Sequence, residues 1–256
     1  CAARWRGGAA AAAGLLLWEA TVVSRGCCAG CAGARGGEAA LAKQASVLKK
    51  QSAHRSMAVA CGVNCTYVVA EEGRVLISGS GEHAQLGLGD REDRLRMTPL
   101  AGDFAVRVVM VSTGLGHAAL QDSDGELWMC GRGDDGQLGT GGREDMLTPT
   151  RVPKWQLGGA RVTMAACGYS HTLVLAQAGR VWAFGFGFHG QLGTGDEDDR
   201  TTPTEVVGLR GVTITFVAAG SSHSVAVSAG GGTFTWGFGQ YGSLGHGNED
   251  NELEPR

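Results

Sequence analysis

Short apolar segments rich in β-branched residues recur along most of the chain, and glycine lies at their ends. Three examples are Val108-Val-Met-Val111, Leu173-Val-Leu175 and Val225-Ala-Val227. Segments of this length and composition predict β-strands, because an amphipathic helix needs a longer stretch with apolar residues three and four positions apart. The pattern predicts several short strands in each unit of an all-β body.

Glycine positions reveal a long internal repeat. One glycine stands three residues before Cys or His, at Gly62, Gly114, Gly168 and Gly220, with spacings of 52, 54 and 52 residues. A Gly-x-Gly pair followed by Gln-Leu-Gly keeps the same register, with Ser243 in place of Gln in the fourth unit. A period near 50 residues built from short strands predicts the four-stranded antiparallel blades of a β-propeller, in which neighbouring blades complete each core.

The repeat divides the chain into two regions. We assign residues 1–55 to an Ala/Gly-rich leader, disordered with a possible helix near 38–54, and residues 56–256 to four repeats. The repeat boundaries are 56–107, 108–161, 162–213 and 214–256. The expected fold is a partial propeller ring of about four blades.

The third repeat carries the most specific motifs. They are Ala166-Cys-Gly168-Tyr-Ser-His171, Gly179-Arg-Val-Trp182-Ala-Phe-Gly185, Gly190-Gln-Leu-Gly193 and Thr202-Pro203. No Trp-Asp pair of the WD40 type occurs, and the Gly-Gly pairs do not recur in register as in kelch repeats. Over residues 56–255 the chain resembles the regulator of chromosome condensation repeat. The resemblance implies a propeller that normally closes with about seven blades, so we expect a piece of a longer protein.

Charge is divided unevenly along the chain. Residues 1–55 carry eight Lys/Arg and two Asp/Glu, whereas residues 56–256 carry 14 and 23. An acidic body does not suit the phosphate backbone of nucleic acids, so we expect no direct nucleic-acid binding by the repeats. The apolar run at 9–18 is shorter than the roughly 20 residues of a membrane span. The eight cysteines lack the even framework of secreted domains, which favours an intracellular protein.

An acidic segment follows each Gln-Leu-Gly block and supplies the candidate partner-binding residues. They are Asp90, Glu92, Asp93, Glu144, Asp145, Asp196, Glu197, Asp198, Asp199, Glu249 and Asp250. Equivalent loops of successive blades leave the propeller on one face, so these acids are expected to form an arc. The arc is either a solvated surface or a docking face for a basic partner, steered electrostatically.

Other recurrent residues are interpreted as structural. His117, His171 and His223 share one position, and we expect half-buried rings that bond the backbone rather than a metal site. The glycines are expected to permit close backbone approach, and no cofactor is expected, because the Gly-x-Gly-x-x-Gly at 237–242 lies between strands. The aromatic residues Trp128, Trp182 and Trp236 are expected to fill the space between blades.

No motif for covalent catalysis is present: Gly-x-Ser-x-Gly, His-Glu-x-x-His and the P-loop are all absent from the sequence. The favoured function is a protein–protein interaction propeller, a regulatory or scaffold module of a larger protein. The resemblance implies two alternatives, an exchange factor for a Ran-like small GTPase and the propeller arm of a HECT-type ubiquitin ligase. The even repeat spacing leaves no room for the family's exchange hairpin, and no HECT segment occurs in the 256 residues.

The resemblance also suggests light sensing as a function to consider. One superfamily member senses ultraviolet light through Trp residues placed directly after the first glycine of the repeat. The corresponding residues here are Val63, Leu115, Tyr169 and Ser221. Their identity argues against photoreception in these repeats.

Overall fold

The computed structural model describes residues 58–100, 104 and 106–256. The predicted leader at 1–55 and its possible helix lie outside the described residues. Within the described part, the regular structure consists of fifteen β-strands and five short 3-10 turns. No helix in that part has the length and hydrophobicity needed to cross a bilayer.

The strands form four antiparallel sheets, here called blades 1 to 4, which follow each other in chain order. Blade 1 contains β1 (Ala58–Cys61), β2 (Cys65–Val69), β3 (Val75–Gly79) and β4 (Arg94–Pro99). Blade 2 contains β5 (Val108–Thr113), β6 (His117–Asp122), β7 (Leu127–Gly131) and β8 (Met146–Arg151). Blade 3 contains β9 (Val162–Cys167), β10 (His171–Ala176), β11 (Arg180–Gly185) and β12 (Arg200–Glu205).

Blade 4 departs from the four-stranded pattern. Its strands are β13 (Ile214–Ala219), β14 (His223–Ser228) and β15 (Thr233–Gly237). A single bridge between Gly237 and Glu252 lies where a fourth strand runs in the other blades. The 3-10 turns are Glu71–Gly73, Lys154–Leu157, Gln177–Gly179, Val207–Leu209 and Gln240–Gly242.

Each hydrophobic core is shared by two blades. The first strands β1, β5, β9 and β13 contact one another in succession, which places them nearest to the propeller axis. Three clusters of buried apolar residues lie between blades 1 and 2, blades 2 and 3, and blades 3 and 4. This arrangement confirms the predicted partial β-propeller of about four blades.

Strand register places the candidate loops on one face. The first residue of the second strand pairs with the last residue of the third strand in every blade, as in His117 opposite Gly131. The turn between strands one and two and the long loop between strands three and four therefore emerge at the same end. We call this end the loop face. It comprises turns 62–64, 114–116, 168–170 and 220–222, and loops 80–93, 132–145, 186–199 and 238–251.

Candidate functional site

A buried glutamine shapes the loop tip in the first three blades. Oε1 of Gln85, Gln137 and Gln191 accepts the N–H of His83, Asp135 and His189 at 2.7, 2.9 and 2.9 Å. In blade 4, Ser243 takes this position, and its hydroxyl donates to the carbonyl of Phe238. The Gln-Leu-Gly motif therefore has a structural role, which blade 4 replaces with different chemistry.

The recurrent histidines join one blade to the next. Nε2 of His117 lies 3.0 Å from Oγ1 of Thr172 in blade 3, and that hydroxyl donates to the carbonyl of Gln137 at 2.9 Å. Nε2 of His171 likewise lies 3.1 Å from Oγ of Ser224, which donates to the carbonyl of Gln191 at 2.7 Å. Because each hydroxyl gives its proton to a carbonyl, the histidine Nε2–H must be the donor.

This arrangement corrects the expectation for the histidines. His117 and His171 are fully buried rather than half-buried, and Nε2 of each ring bonds a hydroxyl of the next blade. Burial lowers the pKa of His117 to about 4 and that of His171 to about 3, so both rings are neutral. His223 is half-buried. No group of three potential metal ligands occurs in the described ranges.

The glycine before each histidine has a steric reason. A Cβ at Gly168 would lie 2.3 Å from Cε1 of His171, and one at Gly114 would lie 2.6 Å from Cε1 of His117. The imidazole ring therefore packs directly on the glycine backbone. In the same motif position, Gly62 faces Cys65 and Gly220 faces His223.

The recurrent tryptophans belong to the clusters between blades. Trp236 is completely buried, and its Nε1–H donates to the carbonyl of Gln191 in blade 3 at 3.0 Å. Trp182 is buried in the cluster of blades 2 and 3. Trp128 is partly buried in the cluster of blades 1 and 2, and it bonds Asp122 of its own blade.

The junction of blades 1 and 2 lacks the histidine–hydroxyl pair of the later junctions. Cys65 takes the histidine position, and Ala118 takes the hydroxyl position of the next blade. The hydroxyl of Tyr67 donates to the carbonyl of Gln85 at 2.6 Å and lies 3.6 Å from the thiol of Cys130. Burial raises the pKa of Cys65 to about 11 and that of Cys130 to about 12, so both thiols stay protonated.

One set of the predicted acidic residues holds the loops together. Oδ1 of Asp93, Asp145 and Asp199 accepts the N–H of Gly81, Gly133 and Gly187 at 3.0, 2.9 and 3.0 Å. Asn251 does the same for Gly239 at 3.0 Å. Asp145 and Asp199 also pair with Arg91 and Arg143 of the preceding blade, at 2.7 and 3.1 Å. These carboxylates close each loop and, in two cases, link it to a neighbour.

A second pair of acids stabilises the loop start. Asp90 accepts the N–H of Glu92 at 3.0 Å and pairs with Arg94 at 2.6 Å, and both contacts lower the pKa of Asp90. Asp196 makes the equivalent contacts with Asp198 and Arg200. Their negative charge is therefore partly compensated within the loop.

The remaining acids are exposed and concentrate on two blades. Glu92, Glu144, Asp198 and Asp250 occupy one equivalent, exposed position. The position before them is Arg91 and Arg143 in blades 1 and 2, but Glu197 and Glu249 in blades 3 and 4. Segment 196–200 holds four acids and one arginine, and segment 248–252 holds three acids and no arginine. The expected acidic arc is therefore uneven, with most of its uncompensated charge on blades 3 and 4.

The structure also reveals an aromatic cluster that the sequence analysis missed. His189 lies 6.1 Å from Phe186, 5.2 Å from Phe188 and 4.6 Å from Phe238, measured between ring centroids. Phe188 is 59% exposed and nearby Tyr169 is 49% exposed. The signal was present in the sequence, because Phe186 and Phe188 stand where the first two repeats have polar or charged residues.

The fold and its interlocked junctions define a repeat β-propeller. The chain belongs to the RCC1-like domain family, whose model matches residues 13–256. It is 35% identical over 197 residues to the ultraviolet-B receptor UVR8 of Arabidopsis thaliana, covering 77% of this chain and 44% of that protein. It is also 35% identical over 204 residues to the human E3 ubiquitin-protein ligase HERC2, covering 79% of this chain and 4% of HERC2.

Solved structures show the same similarity. Human WBSCR16 matches with a TM-score of 0.72 and 27% identity, covering 80% of this chain and 53% of that one. Prp20p of Saccharomyces cerevisiae matches with a TM-score of 0.67 and 27% identity, covering 80% of this chain and 50% of that one. The chain thus spans about half or less of the length of these relatives.

Proposed function

We propose that this chain is a protein-interaction module of a larger regulatory protein and that its loop face docks a basic segment of a partner. The observation that carries the proposal is the change from Arg91 and Arg143 to Glu197 and Glu249. Both glutamates and Asp250 are exposed, and none of the three forms an ion pair with a described residue. Such a charged face raises the association rate with a basic partner and orients it.

The relatives support both parts of this proposal. HERC2 and HERC5 are named as ligases, and the matched region is 4% and 19% of their lengths, as expected for a module within a larger protein. The structure of Prp20p was described together with its binding to Gsp1p and histones. Histones are strongly basic proteins, so a relative with this fold binds partners of the proposed charge.

The test is a charge-neutralised variant with a matched control. The variant Asp198→Asn, Glu249→Gln, Asp250→Asn is compared with Glu71→Gln, Glu72→Gln, Asp124→Asn, whose acids lie at the opposite end of the blades. The probe is a labelled peptide of alternating Lys and Gly. We expect the loop-face variant to lower the association rate about fivefold at low salt and to flatten its salt dependence. Equal rates for the two variants in stopped-flow measurements would contradict the proposal.

The exchange-factor alternative rests on the similarity to yeast Prp20, which is described as yeast RCC1. The loop face of blades 1 to 3 is occupied by loops of one shared design, closed by the Asp–glycine bonds described above. Nucleotide release from a Ran-like GTPase, measured with the full chain and a control GTPase, separates the two functions. Specific acceleration would favour exchange activity over simple docking.

A further inference from the structure

We propose that a cleft between blades 2, 3 and 4 on the loop face binds one arginine side chain of the docked basic segment. This inference rests on the proposed function, because the acidic loops bring the segment to the cleft. The cleft has a volume of about 390 Å³, and its lining includes Arg132, Asp135, Tyr169, Phe186, Ser221 and Ser222. Ligand sites range from about 300 to 1,000 Å³, so this cleft suits a side chain with its flanking backbone.

The blade 2 side of the cleft carries a net negative charge. Asp134 engages the guanidinium of Arg132 through both of its oxygens, each at 2.6 Å. The N–H of Asp135 is fixed by Gln137, while its carboxylate accepts no hydrogen bond from any described residue. The guanidinium of Arg132 also interacts electrostatically with Asp135. The two carboxylates outweigh the single guanidinium, so this side of the cleft keeps one net negative charge.

Aromatic side chains border the cleft on two sides. Phe186 stacks with Phe188 at 6.2 Å and contacts His189, which fixes its position. Tyr169 is half exposed at the other side, and its N–H is bonded to the carbonyl of Ser221 at 3.1 Å. Exposed aromatic side chains grouped beside a cleft mark interaction sites. Their rings provide faces on which a planar cation stacks.

Together these groups select arginine. A guanidinium group stacks on aromatic faces and pairs bidentately with a carboxylate, whereas an ammonium group does neither as well. An anionic ligand is disfavoured by Asp135 and by the acidic loops of blades 3 and 4. Blades 1 and 2 do not repeat this aromatic side of the cleft, because Ser80 and Arg132 replace Phe186 there.

The test compares two peptides of equal charge, with the sequences Lys-Gly-Arg-Gly-Lys and Lys-Gly-Lys-Gly-Lys, on the full chain. We expect the arginine peptide to bind about fivefold more tightly in fluorescence anisotropy. Asp135→Asn and Phe186→Leu should each reduce this ratio to about one. Phe186→Leu removes no charge, so it should also leave the salt dependence unchanged. The control Asp124→Asn, at the opposite end of blade 2, should keep the ratio. Near-ultraviolet circular dichroism confirms that each variant is folded.

The outcomes separate this inference from the proposed function. If both peptides bind equally to the unmodified chain, with strong salt dependence, the arginine cleft is wrong and the acidic docking face stands. If the ratio survives in both Asp135→Asn and Phe186→Leu, arginine is recognised elsewhere and the cleft is also wrong. If neither peptide binds at low salt, both proposals fail.

Discussion

The junction of blades 1 and 2 differs from the two junctions that follow it, although the backbone is the same. In the later junctions a histidine, a hydroxyl of the next blade and a glutamine carbonyl form one chain of hydrogen bonds, as in His171 and Ser224. In the first junction Cys65 and Ala118 replace both polar partners, and Tyr67 bonds the carbonyl of Gln85. The histidine and the hydroxyl are therefore absent together at the first junction, since either one alone would lose its buried partner.

The size of the packed side chains also differs between the first junction and the later ones. The third-strand position that packs against the preceding blade holds Cys130 in blade 2, Phe184 in blade 3 and Trp236 in blade 4. Tyr67 supplies the bulk at the first junction, where Cys130 is small. The glycine of the Gln-Leu-Gly motif packs on this position, and a Cβ at Gly139 would lie 2.8 Å from the ring of Phe184. The fully buried aromatic side chain of a junction therefore comes from the second strand at the first junction and from the third strand at the later ones.

The largest expected effect on stability comes from removing the aromatic side chain at this third-strand position. Trp236→Ala should lower the free energy of unfolding by about 4 kcal/mol, because a fully buried indole and its bond to Gln191 are lost. Cys130→Ala, at the same strand position, should cost about 1 kcal/mol, because Tyr67 fills that junction. Urea unfolding followed by circular dichroism measures both. Similar costs for the two variants would show that the junctions do not differ in this way.

The second prediction removes one hydroxyl from the network. Thr172→Val preserves shape but leaves the Nε2–H of His117 and the carbonyl of Gln137 without their partner, so stability should fall by about 2 kcal/mol. Thr66 is its half-buried equivalent in blade 1 and makes no hydrogen bond to any described residue, so Thr66→Val should change stability by less than about 0.5 kcal/mol. A large cost at Thr66 in the same unfolding experiment would refute the distinction.

The third prediction concerns pH. The pKa values of His117 and His171 lie below their ordinary value of 6.5, so as pH falls the unfolded chain takes up protons before the folded chain does. Stability from these groups is complete above about pH 7 and should fall by about 2 kcal/mol per histidine on going to about pH 5.

A transplant of the first junction sharpens that test. The variant His117→Cys, Thr172→Ala places the residue types of the first junction at the junction of blades 2 and 3. It removes one titrating histidine. We expect its loss of stability between about pH 7 and about pH 5 to be about 2 kcal/mol smaller than that of the unmodified chain. An unchanged pH dependence would show that His117 does not govern it.

The fold could be predicted from the sequence, because glycine spacing and strand patterns are local and recur four times. The loop-closing role of Asp93, Asp145 and Asp199 could also have been predicted, since each residue stands twelve positions after the glycine whose N–H it accepts. The pairing of His117 with Thr172 could not be predicted from the sequence, because the two residues are 55 positions apart and meet only when the blades pack. The arginine cleft combines three blades, so no single repeat displays it.

The histidine network also bears on how such a chain can grow by gene duplication. A second copy of blade 3 inserted after the first would set the copied Thr172 against His171, so the Nε2–H of His171 keeps a hydroxyl partner. A second copy of blade 2 would set Ala118 against His117 and bury an unpaired N–H. Blade 3, unlike blade 2, thus carries both the histidine and the hydroxyl that a duplicated junction needs, so blade order is restricted by side-chain chemistry as well as by shape.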